Sequence, residues 1–146
     1  MKKLVLATIV AYIVLMATNY FVHSVWLMAD YNAIPGSHRP PEEMMHRFWA
    51  MLLGQLFFAA MFAYIYTRGR ENRPWVQQGI RYGIVMTFMT VVPYSLSDYV
   101  VYNVPHRLAV KWMVAGGLQL IILGLIVAAI CKDGATARAS KLREKV

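Results

Sequence analysis

The stretch Pro93–Lys111, PYSLSDYVVYNVPHRLAVK, decides the fold. It holds an acid, Asp98, and a base, Lys111, inside two runs that otherwise read as membrane-spanning. Between them lies only the Asn-Val-Pro corner at 103–105, too short for anything but a reversal. Two long apolar helices joined this way must lie side by side and antiparallel. Ionisable groups at membrane depth are costly, so both demand a reason.

Outward from that stretch, the whole chain follows the same pattern. Its 146 residues are 59% hydrophobic, with a mean hydropathy of +0.46. The apolar residues fall in long blocks rather than at amphipathic spacing, which marks the bilayer as the solvent. Four segments result, about Leu4–Ala29, Met45–Thr67, Trp75–Tyr102 and Arg107–Cys131. Each is long enough for a hydrocarbon core of roughly 30 Å at about 1.5 Å per residue. Lys2-Lys3 before an apolar run imitates a signal peptide, but the apolar character outlasts the usual short core. The first segment is therefore expected to stay as a signal anchor. The expected fold is all-α: an antiparallel bundle of four transmembrane helices over residues 1–132, followed by a basic cytoplasmic tail at 133–146.

The net charge of +8 is a topology signal rather than a nucleic-acid footprint, because the basic residues cluster at segment ends. Lys2, Lys3, Arg68, Arg70, Arg73, Lys132, Arg138, Lys141, Arg143 and Lys145 fall on one side. Arg39, Arg47 and Arg107 fall on the other. That imbalance is expected to place both termini of a multi-pass membrane protein in the cytoplasm. Four small-xxx-small pairs lie in the inner half: Ala7/Ala11, Ala59/Ala63, Gly79/Gly83 and Gly124/Ala128. Such pairs let helix backbones approach closely, so the inner half is expected to be tight.

The outer half carries the polar residues Asn19, His23, Gln55, Asp98 and Lys111. Counting the helical rise from the outer ends puts Asp98 and Lys111 each roughly 6–9 Å deep, so an Asp98–Lys111 ion pair is expected. Pro93 frees the carbonyl of Met89 and kinks the third segment, with Tyr94, Ser95 and Ser97 at hand to serve the loosened backbone. The kink would open a polar pocket towards the outside. The same residues also fit interhelical glue, or a lysine that snorkels to the interface. Arg81, two turns into the third segment, is expected to reach back to the inner headgroups.

Chemistry is sparsely encoded. With only Cys131, neither an internal disulfide nor a cysteine-built metal site exists. Glu43 and His46 have Glu-x-x-His spacing, but a di-iron bundle needs two such motifs and four carboxylates, and no metal is expected. His23 is the candidate axial ligand if a haem or chlorophyll-type pigment binds. No nucleophile triad, phosphate loop, HExxH or CxxC is present, so catalysis is not expected.

The runs NYFVHSVWLMADY and FAYIYTRGRENRPWVQQGIRYG, with VKW after the corner and ILGLIVAAI, resemble a family of small bacterial four-helix integral membrane proteins of unknown function. The resemblance spans Asn19 to Ile130 and is most specific at Tyr66, Gly69, Glu71, Pro74, Trp75, Gln78, Gly79 and Arg81. It implies the same topology and a place in the bacterial inner (cytoplasmic) membrane. It also implies no obligatory catalytic role for Asp98, a position where family members often lack an acid. The leading expectation is a non-catalytic accessory subunit packed in the bilayer against other membrane subunits or copies of itself. The alternative is a small-ligand or ion binding or transport protein using the pocket around His23, Asp98 and Lys111.

Overall fold

The computed structural model describes residues 1–34, 39–71 and 73–132; the basic tail expected at 133–146 lies outside them. Four helices are long and apolar enough to cross a membrane: Lys2–Trp26, Pro41–Arg68, Trp75–Val101 and His106–Cys131, here the first to fourth spans. No strand occurs among the described residues.

Prolines set where three of the spans begin. Pro40, Pro74 and Pro105 hold φ between −53° and −60° with extended ψ, immediately ahead of the second, third and fourth spans. The ring fixes φ, and its missing N–H costs nothing where the helix has no donor to satisfy. Glu42 and Glu43 then occupy the first turn of the second span, favourable at the positive end of a helix.

The first span ends earlier than expected. A π-helical turn at Phe21–Trp26 closes it, and the chain turns at Leu27 into a short helix, Met28–Asn32. Leu27 is fully buried and pins that turn to the bundle. The expected continuous segment to Ala29 is thus broken at Leu27.

The fourth span carries the core. It packs most extensively against the third span and also against the first, while the second packs chiefly against the first. Along the third and fourth spans, Gly79 lies on Gly124, Gly83 on Leu120-Ile121, Thr87 on Gly117 and Val91 on Gly116. A Cβ on Gly79 would stand 2.9 Å from the Gly124 carbonyl oxygen, and one on Gly83 would stand 2.5 Å from Ile121 Cα. Here backbone touches backbone. All eight residues of the small-xxx-small pairs are buried.

At the end of the bundle where Lys3 Nζ donates to the Lys132 carbonyl (2.7 Å), aromatic rings join the second and third spans. Tyr82 packs edge-on to Phe62 and Tyr66, and its hydroxyl donates to the Phe62 carbonyl at 2.7 Å. Nearby, Gln78 Nε2 donates to the Glu71 carbonyl. Arg81 does not simply reach for headgroups: it pairs with the Glu71 carboxylate at 2.9 Å, which Arg73 also contacts at 2.8 Å.

Pro93 disturbs the third span, as its chemistry requires, but the relief lies upstream. A π-helical segment at Thr87–Val91 shifts the hydrogen-bond register just before the proline. The side chains that serve this backbone are Thr87 (to the Gly83 carbonyl, 2.8 Å), Thr90 (to Met86, 2.7 Å) and Ser97 (to Pro93, 2.9 Å). Neither Tyr94 nor Ser95 joins them among the recorded bonds. Both instead face a cavity.

Candidate functional site

The first, third and fourth spans and the short helix enclose a cavity of about 390 Å³. The first span contributes Asn19, Val22 and His23, and the short helix Tyr31. The third span contributes Tyr94, Ser95 and Asp98; the fourth contributes Trp112, Ala115, Gly116 and Gln119. The segment downstream of Pro93 thus forms one wall, with Ser95 and Asp98 three residues apart on one helical face.

Of the five polar residues singled out in the sequence, Asn19, His23 and Asp98 line this cavity. Gln55 and Lys111 do not. Gln55 belongs to the second span, whose buried residues, Ala59, Phe62, Ala63 and Tyr66, all lie beyond it.

The expected Asp98–Lys111 pair is absent. Lys111 Nζ instead contacts Asp30 Oδ2 at 2.6 Å, with both side chains less than a quarter exposed (22% and 24%). It also lies 5.8 Å from the centre of the Trp26 ring. The physical reason is the turn at Leu27, which folds Met28–Asn32 back over the fourth span and brings Asp30 to the lysine. The neighbouring residues repeat the contact, since Trp112 Nε1 donates to Tyr31 Oη at 2.9 Å. Asp30-Tyr31 therefore faces Lys111-Trp112 as two adjacent couples.

Tyr31 is the centre of this wall. Its hydroxyl lies 2.6 Å from His23 Nδ1, with the two rings nearly parallel at 6°. Burial raises the Tyr31 phenol above its ordinary value; the Trp112 hydrogen bond opposes this and the Asp30 charge adds to it. The hydroxyl therefore keeps its proton at physiological pH. If it donates that proton to Nδ1, the His23 ring carries its own on Nε2.

Deeper in the bundle, Gln119 stands near the middle of the fourth span and ties it to the first. Its Nε2 contacts Thr18 Oγ1 at 2.5 Å and Asn19 Oδ1 at 3.0 Å. Thr18 passes its own proton to the Val14 carbonyl at 2.7 Å, so its oxygen is an acceptor for Gln119. The wall side chains are held in place before any guest arrives.

Sequence reasoning passed over Gln119, Tyr31, Trp112 and Asp30. Gln119 had a signal: it interrupts the apolar run GGLQLII at mid-span. Asp30 and Tyr31 fall just past the first apolar segment, and nothing local marks the turn that brings them back.

The third-span wall, with Tyr94, Ser95 and Asp98, stands apart from this mutual satisfaction. Among the described residues the Asp98 carboxylate has no hydrogen bond or ion pair. No three of His, Cys, Asp and Glu converge as a metal set among the described residues. Comparison with protein-family models, with curated proteins and with solved structures found no match.

Proposed function

We propose that this chain is a small-ligand-binding protein of the bacterial inner membrane, using the cavity between its first, third and fourth spans. The observation that carries this reading is a cavity between three of the long apolar helices whose polar wall residues are pre-set. The Gln119–Thr18–Asn19 and His23–Tyr31–Trp112 bonds fix side chains from three elements around one space. Its volume lies within the range of small-molecule sites, about 300–1,000 Å³. Interhelical glue accounts for these bonded groups but not for Asp98, which faces the same space with no hydrogen bond or ion pair among the described residues. An antiparallel bundle with cytoplasmic termini is part of the proposal. The falling register of Gly79–Gly124, Gly83–Leu120, Thr87–Gly117 and Val91–Gly116 supports it, as does the excess of Lys and Arg at one end.

The test is thermal unfolding of the purified full chain against a chemically varied panel of small cations, anions and neutral polar compounds. Ala115→Leu, which fills the cavity from its wall, is the control. A compound that raises the midpoint of the natural chain but not of the variant supports the site. A panel that shifts neither sinks it.

A specific observation also supports an accessory role. In the second span every residue from Pro41 to Met51 is exposed, and Gly54 has open space where a side chain would be. Gln55 is half-exposed beside it and makes no recorded side-chain hydrogen bond. A polar group at that depth favours a partner helix over lipid. Extraction in mild detergent separates the possibilities: a second membrane protein or a second copy travelling with the chain supports the role, and a solitary monomer counts against it.

A further inference from the structure

We infer that the cavity takes a primary ammonium group, free in a small amine or carried on a lipid headgroup; this rests on the reading of the cavity as a ligand site. The lining holds the carboxylate of Asp98 and neither a lysine nor an arginine. The Asp98 carboxylate accepts only, and Lys111, the partner expected from the sequence, is committed to Asp30. The Gln119 amide nitrogen is spent on Thr18 and Asn19, which leaves its carbonyl oxygen. Ser95, the polar side chain buried among the described residues, adds a hydroxyl oxygen on the same face of the third span as Asp98. A carboxylate, an amide carbonyl and a hydroxyl oxygen suit the three N–H donors of one ammonium.

The remaining wall fits the same charge. Trp112, Tyr31 and Tyr94 bring aromatic rings, whose faces attract cations. An anion would meet the Asp98 charge at close range, and an apolar guest would bury it without a partner. A quaternary ammonium would satisfy the charge but bring no donor to the three oxygens. A primary ammonium satisfies both.

The experiment compares ethanolamine with ethylene glycol and glycolate, its neutral and anionic counterparts, on the full chain in nanodiscs at constant ionic strength. A parallel arm compares phosphatidylglycerol discs with discs containing phosphatidylethanolamine. A rise in unfolding midpoint with ethanolamine, with the phosphatidylethanolamine discs, or with both supports the proposal, and the pattern tells a soluble amine from a headgroup. Asp98→Asn should weaken the response about tenfold or more, the loss of one charge-assisted contact, while Asp98→Glu keeps the preference. Equal or larger stabilisation by ethylene glycol or glycolate overturns the ammonium assignment and leaves a ligand site standing. Silence across these compounds and the wider panel overturns the ligand site itself. The comparison of the three compounds on the natural chain decides the matter even if Asp98→Asn fails to fold.

Discussion

At the scale of residues, the instructive pair is Lys111 and its acid. That a lysine at this depth needed a partner was legible from the cost of an unpaired charge in a low-dielectric setting. Which acid it took was not. Asp98 is closer along the chain and lies across a three-residue corner, yet Asp30 wins because Leu27 turns the chain and returns Met28–Asn32 to the fourth span. That turn is a tertiary event, made by burial of one leucine, and it leaves no periodic trace. The pair predicts a coupling. Lys111→Met and Asp30→Asn should each destabilise by about 1–3 kcal/mol, because each strands a part-buried group. The double variant should lose less than the sum, with a coupling of about 0.5–3 kcal/mol. By contrast, Asp98→Asn and Lys111→Met should combine additively. Reversible unfolding in mixed detergent micelles measures both cycles; additivity in the first would dissolve the Asp30–Lys111 pair.

At the scale of elements, the spans were legible because the bilayer forces long apolar helices, and their observed ends fall within a few residues of those read from the sequence. The close approach of the third and fourth spans was legible too, from glycines four residues apart. What escaped was helix irregularity. Pro93 announced a disturbance, but sequence chemistry does not say whether a chain kinks or inserts a π-helical segment, since either relieves the clash between the proline ring and the preceding turn. Two glycines make the packing testable. A methyl group on Gly83 would meet the fourth span's backbone, which has no flexible end to move aside. Gly83→Ala should therefore cost about 1–3 kcal/mol. Gly54 has nothing near it, so Gly54→Ala should be neutral or gain up to about 1 kcal/mol from helix propensity. Unfolding midpoints that fall equally for both would contradict the backbone contact between the spans. A drop at Gly54 alone would point to a partner on the second span.

At the scale of the whole molecule, orientation ties the cavity to a compartment. Lys and Arg are drawn to the side where translocation is opposed, and the rule counts those residues near span ends rather than net charge. Arg68, Arg70 and Arg73 bracket the second and third spans at one end, where Lys3 also meets Lys132. Only Arg39, Arg47 and Arg107 flank the spans at the other, and Glu42 and Glu43 beside them count for little. The proposed arrangement therefore puts the Arg68–Pro74 loop in the cytoplasm and the Asn103–Pro105 corner outside. With Cys131 replaced by serine, a cysteine at Arg70 should resist a membrane-impermeant maleimide in intact cells and react once the cells are opened. A cysteine at Asn103 should react in both. The reverse pattern would invert the molecule and turn the cavity's nearer end, marked by His23, Asp98 and Tyr31, towards the cytoplasm. Equal labelling of both sites in intact cells would mean that copies insert both ways. Because the cavity sits nearer the Asp30–Lys111 end, the labelling result also decides from which side the proposed ammonium ligand would come: with the expected pattern, amines or headgroups on the outer face.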